Sequence, residues 1–228
     1  MLSKKELLRR YSVLAAIGLV CMAALQAGEA AKKESLGFGH CATLSPLKKA
    51  PALDGKIEPG EWDNATRTVN FMDIIFNMME PRGGSTYCGY HGDRLYIAMI
   101  SELPPRPAKG PYSAEYTRDA DVVFDANGIE IWLDPNRDRR ESQDGDQSFY
   151  QVILNTVGSI EDVRLTPGKT TDKGWNAEVQ SAHGLDHEKK LWTAEISIPL
   201  KDLGYDPASL QEKSIGVLIS RNYKAPWN

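Results

Sequence analysis

The chain predicts an all-β fold: one antiparallel β-sandwich of the immunoglobulin or jelly-roll kind. Three observations predict it. Gly128-Ile129-Glu130-Ile131-Trp132-Leu133-Asp134 and Leu191-Trp192-Thr193-Ala194-Glu195-Ile196-Ser197-Ile198 both alternate with period two, the pattern of strands with one packed face. Short candidate strands recur along the chain with Gly, Pro, Asn and Asp turn signals between them. No helical period runs beyond about three turns.

The N-terminus is read apart from the fold. Lys4, Lys5, Arg9 and Arg10 precede an uncharged run of 15 residues from Tyr11 to Leu25, and small residues follow at Ala27, Gly28 and Ala30. Basic, apolar and small in that order describe a secretory signal peptide, and the run is short of the ~20 residues that span a bilayer. Residues 1–30 are assigned to it, with cleavage after Ala27 or Ala30. Val20 before Cys21 speaks against a lipoprotein. The expectation is a secreted or periplasmic protein with no membrane association after cleavage. Roughly 200 residues remain, enough for one domain with a sizeable core.

Net charge is −4 from 27 basic and 31 acidic residues, which are interspersed. Without a basic patch, nucleic acid is not an expected partner. Oligomeric state is not legible. Once Cys21 leaves with the signal, Cys41 and Cys88 remain. In an oxidising compartment they read as one disulfide, worth about 4 kcal/mol if unstrained; two buried free thiols are the alternative.

Residues 31–50 are polar and without period, a loose lead-in to a domain expected over 51–228. Asp54-Gly55 and Pro59-Gly60 are turn signals, with Ile57 and Trp62 as lids for the end of a core. Strands are then predicted at 68–76, 85–90, 95–101, 128–133, 149–155, 160–165, 175–180, 191–198 and 214–220. His91-Gly92-Asp93-Arg94 and Asn155-Thr156-Val157-Gly158 read as hairpin turns. Residues 104–111 are too rich in Pro for a central strand. Residues 137–147 form a charged loop without an apolar residue.

In this order the segments resemble the family 9 carbohydrate-binding modules, a group of β-sandwich sugar-binding domains. The resemblance rests on Leu53-Asp54-Gly55-Lys56-Ile57 with Glu61-Trp62, and on Asp93-Arg94-Leu95-Tyr96-Ile97-Ala98. It continues through Gly128 to Asp134, Gln151-Val152-Ile153-Leu154-Asn155 with Gly158, Trp192 to Pro199, and Ile215-Gly216-Val217. It spans about 51–221. It implies a sugar held between two aromatic side chains, with polar groups bonding its hydroxyls. The first aromatic matches Phe124 and the acid of the strand matches Glu130. An arginine of some members is replaced by Ile153. The second aromatic lies beyond the last strand, whereas this chain stops at Asn228 and Trp227 comes too early to match it. That leaves open an incomplete gene product or an altered, weakened site.

From the residues themselves, Ile129, Ile131 and Leu133 face a core while Glu130 and Trp132 face away. Glu130 is expected to accept sugar hydroxyls, Trp132 to floor the same face and Gln151 to add polar groups from the next strand. Otherwise Glu130 would pair with a Lys or Arg and Trp132 would pack under a loop. Phe124 reads as a platform or as core, and Trp175 stays ambiguous. Trp62, Tyr96 and Trp192 are assigned to the core. Asp134, Asn136 and Asp138, followed by Asp144 and Asp146, make an oxygen-rich loop that suits calcium, which some members of the family bind structurally. It is not an EF-hand, because Arg139 and Gly145 stand where that loop needs Gly and Glu. His183 and His187 stand four apart, but Gly184 opposes the helix a shared metal would need.

No Gly-x-Ser-x-Gly motif or phosphate loop occurs. A glycosidase needs two carboxylates about 5–9.5 Å apart, and Glu130 has no evident partner. The expectation is a non-catalytic domain that binds oligo- or polysaccharide, associated through the resemblance with glycoside hydrolases and polysaccharide degradation. Two rivals remain: an exported haem-binding or electron-transfer domain using Met72, Met78, Met79 or His91, and a protein-binding scaffold. Without a Cys-x-x-Cys-His motif, any haem would be non-covalent.

Overall fold

The computed structural model describes residues 44–73, 78–103, 115–120, 123, 127–135, 149–166, 171–206 and 215–223. All of them belong to one compact unit, Leu44–Asn228, which begins upstream of the expected boundary at Pro51. Among the described residues twelve strands follow one another: β1 Ser45–Pro46, β2 Thr66–Val69, β3 Met72–Asp73, β4 Met78–Met79, β5 Gly84–His91, β6 Arg94–Glu102, β7 Gly128–Asp134, β8 Phe149–Asn155, β9 Ile160–Leu165, β10 Gln180–Asp186, β11 Leu191–Pro199 and β12 Gly216–Asn222. A single turn of 3-10 helix, Leu200–Leu203, follows β11.

The strands form two main sheets. The larger runs β1-β5-β6-β11-β10, with β2 also on the outer edge of β5; the smaller runs β12-β7-β8-β9. Their inner faces carry the alternation read from the sequence. Leu95, Ile97 and Met99 of β6 and Trp192, Ala194, Ile196 and Ile198 of β11 pack against Ile129, Ile131 and Leu133 of β7 and Tyr150, Val152 and Leu154 of β8. Burying each large side chain contributes about 1.5–3 kcal/mol. The tight turns at Gly92-Asp93 and after Asn155 join β5 to β6 and β8 to β9. The architecture is an all-β sandwich, as expected.

Two of the expected strands need correction. Residues 175–179 are not a strand. Asp162 of β9, fully buried, accepts the backbone N–H of Ala177 at 2.7 Å and binds Arg118 Nη2 at 2.6 Å, tying that segment down as a loop. The strand begins instead at Gln180 and pairs with β11 over Gln180–Asp186. The stretch predicted at 68–76 is broken at Asn70, whose φ is 64°. Beyond it, β3 pairs with β4 in a separate ribbon.

Ile57 and Trp62 do not close the end of the core. With Leu47, Tyr96 and Ala98 they form a second cluster on the outer face of the larger sheet, where the 47–65 segment lies over it. Glu195, outward on β11, holds that segment. Its Oε2 accepts the backbone N–H groups of Asp54 and Gly55 at 3.0 and 2.8 Å, and Thr193 Oγ1 donates to the Gly55 carbonyl. Gly55, with φ 83°, lies so close to β10 that a Cβ there would sit 2.3 Å from the His183 carbonyl oxygen. Only glycine fits. Glu195 is 0% exposed. Its Oε1 has no hydrogen-bond partner among the described residues, and burial pushes its carboxyl up to about 7.

Candidate functional site

The site read from the sequence falls on the outer face of the smaller sheet. Because β7 alternates, Glu130 and Trp132 leave the core together. The antiparallel register sets Trp132 opposite Gln151 on β8 and opposite Leu218 on β12, with Glu130 opposite Ile153 and Ser220. Glu130 is the hub. Its Oε1 accepts Trp132 Nε1 and Gln151 Nε2, each at 2.6 Å, and its Oε2 accepts Asn222 Nδ2 at 3.0 Å. Glu130, Trp132 and Gln151, chosen from the sequence, are thus brought into one cluster.

Among the described residues no Lys or Arg pairs with Glu130. All three of these partners are neutral N–H donors. Among the described residues, three of a carboxylate's roughly four acceptor positions are thereby taken. The hydrogen bond from Trp132 Nε1 fixes the indole, which stays partly exposed. At the position where the resemblance implies an arginine, Ile153 is buried between Glu130 and Glu161 of β9, with which it pairs in register.

Asn222 and Glu161 were missed in the sequence. The signal for Asn222 was its two-residue spacing from Ser220 on a strand expected to end there. Phe124, the expected platform, and Trp227 lie outside the described residues. So do Asn136, Asp138, Asp144 and Asp146. Of the calcium set only Asp134 is described, at the end of β7 across from Gly216.

Cys88 is half-buried against the core, and burial pushes its thiol up to about 12. Its expected partner Cys41 lies outside the described residues. Trp175 rests on the ring of Tyr150, their centroids 4.6 Å apart. His183 lies on β10, with its ring against the turn at Gly158, and His187 follows in the next turn. The two are not on one helical face.

Of the ligands suggested for haem, His91 lies apart from the methionines. Met72 and Met79 pair across the β3–β4 ribbon, which is tied to the Gly84 end of β5 through Asn70 N–H and the Gly84 carbonyl at 2.9 Å. His91 ends β5 seven residues further on, about 23 Å away at ~3.3 Å per residue.

No protein-family model matches the chain, and no curated protein sequence matches it. Solved structures do. One is a candidate carbohydrate-binding protein from Bacteroides uniformis, 12% identical over 81% of this chain and 85% of that one, with a TM-score of 0.57. Two others are of a family 9 carbohydrate-binding module from Caldicellulosiruptor kristjanssonii, in complex with cellotriose and with glucose. They are 15% and 16% identical over 77% of this chain and 74% of theirs, with TM-scores of 0.44 and 0.45. At these identities the likeness concerns architecture: this chain shares the β-sandwich fold of the Bacteroides uniformis protein.

Proposed function

We propose that the protein is an exported, non-catalytic carbohydrate-binding domain serving polysaccharide degradation. The observation that carries this is Glu130, a carboxylate held by the N–H donors of Trp132, Gln151 and Asn222, with no Lys or Arg paired to it among the described residues, beside a partly exposed indole. A sugar presents the complementary chemistry: an apolar C–H face for the ring and hydroxyl donors for the carboxylate. The fold shared with a candidate carbohydrate-binding protein supports the reading. So does the signal-like N-terminus.

One stacking face covers roughly 100 Å² of sugar, worth about 2 kcal/mol. A hydrogen bond to the charged carboxylate adds about 1.5–3 kcal/mol. Contributions of this size, opposed by the cost of lost rigid-body freedom, allow an affinity no tighter than the millimolar to high-micromolar range. Phe124 is the proposed further platform. Calcium held by Asp134, Asn136 and Asp138 is proposed as a structural ion, with carboxylate and amide oxygens of the kind it prefers.

The test is calorimetric titration with a panel of soluble mono- and oligosaccharides. At least one should bind. Glu130→Gln places an amide N–H against the donors of this cluster and should weaken binding about tenfold or more. Phe124→Ala should do the same through lost stacking. If both variants bind like the parent, the site lies elsewhere on the sandwich. If no saccharide binds, the carbohydrate reading fails and a protein-binding scaffold replaces it.

A further inference from the structure

We infer that Leu218 on the edge strand β12 forms a second sugar subsite, so that the ligand taken by the Glu130 cluster is an oligosaccharide of at least two linked units. This rests on the carbohydrate reading of that cluster. Across the outer face of the smaller sheet, accessibility rises from one side to the other. Val163 and Glu161 on β9, Ile153 on β8 and Glu130 on β7, 8% exposed, are buried, Gln151 on β8 and Trp132 on β7 are partly exposed, and Leu218 on β12 is 59% exposed. The face is therefore shut toward β9 and open toward β12.

Leu218 is paired directly with Trp132, so their Cβ atoms are about 5 Å apart and the two side chains make one continuous apolar shelf. An exposed leucine alone needs no explanation; one that extends the indole of a hydrogen-bonding cluster does. The shelf also has a direction. Leu218 is one strand over and two residues along from Glu130, a diagonal of about 8 Å between Cα atoms. That is wider than one pyranose ring. A sugar whose hydroxyls reach Glu130 and Asn222 cannot also cover Leu218, whereas the next unit of the same chain can. Among the described residues β12 is the edge of its sheet, with no further strand of that sheet in the way of the chain as it leaves.

Paired titrations test this, using glucose with cellobiose, xylose with xylobiose and mannose with mannobiose. For whichever sugar binds, the disaccharide should bind about fivefold to tenfold tighter than its monosaccharide, from burial of about half the leucine side chain. Leu218→Ser should remove that advantage and leave the monosaccharide affinity unchanged. Leu218→Trp should restore or enlarge it. Leu218 is exposed, so melting temperatures should match the parent. Equal affinities for mono- and disaccharide in the parent would overturn the second subsite while leaving the carbohydrate reading intact. So would a Leu218→Ser variant that weakens both alike. No binding by any member of the panel would overturn the carbohydrate reading itself.

Discussion

Glu195 makes the stability of this sandwich depend on pH in a direction unusual for a carboxylate. An Asp or Glu in a salt bridge stabilises a fold when ionised; Glu195 does the opposite. It is fully buried, and burial, reinforced by the negative charges of Glu61 and Asp54, raises its carboxyl from an ordinary 4.5 to about 7. The folded state therefore holds the proton more tightly than the unfolded chain does. The stability this contributes is fully present below 4.5 and is lost as pH rises through about 7. Each pH unit in that window changes the folding free energy by about 1.4 kcal/mol, so the full change is on the order of 3 kcal/mol. For a domain of this size that corresponds to about 6–12 °C in melting temperature.

Asp162 is also pushed up by burial and acts with the same sign, so the parent alone does not isolate Glu195. Glu195→Gln does, because the amide keeps an oxygen for the Asp54 and Gly55 N–H groups and cannot ionise. Thermal unfolding at steps from pH 5 to pH 8 should show the parent losing stability and the variant losing much less. Parent and variant falling in step across that range would refute the reasoning, as would a parent more stable at pH 8 than at pH 5.

Three further outcomes are expected. Ile131→Ala, at the centre of the β7 core face, should cost about 2–5 kcal/mol in urea unfolding, whereas a substitution at exposed Val69 should be nearly silent. Removal of calcium with EDTA should lower the melting temperature and re-addition should restore it; an unchanged melting curve with no bound calcium would dismiss the proposed ion. N-terminal sequencing of exported protein should begin at Gly28 or Ala31, and protein still starting at Met1 would refute the signal-peptide reading.

The inner faces of both sheets were legible because period-two alternation needs nothing beyond the strand itself. Ile129, Ile131 and Leu133 could hardly pack otherwise. The Glu130, Trp132 and Gln151 cluster was legible for the same reason: residues excluded from the core by alternation share the opposite face. What failed was set by distant chain. In β10, Gln180-Ser181-Ala182-His183-Gly184-Leu185-Asp186 has no β-branched residue and one Gly, so its strand character comes from pairing with β11 and not from its own propensity. Glu195 reads as solvent-facing between Thr193 and Ser197. Its burial is imposed by a turn 140 residues earlier in the chain, which no local pattern records.

The edge strand β12 supplies Asn222 to the Glu130 cluster and Leu218 to the shelf, and its two ends are not equally secured. At the Asn222 end, Arg221 is buried. Its guanidinium stacks 4.8 Å from the Trp192 ring and 4.3 Å from the Tyr223 ring, and it donates to Ser101 Oγ at 2.9 Å and to the Gly128 carbonyl at 3.2 Å. At the other end, Val217 and Leu218 are exposed; among the described residues the strand pairs there only with β7, and Ile215 and Ile219 are only partly buried against the core. Amide hydrogen exchange should therefore run as a gradient along this one strand, fast at Val217 and slow at Arg221, with opening well below the free energy of global unfolding. The hydrogen-bonding half of the site is rigid and the apolar half is soft. A ligand long enough to cover Leu218 would slow exchange at Val217 and Leu218 first, so the part of the protein most changed by binding is the part least ordered without it.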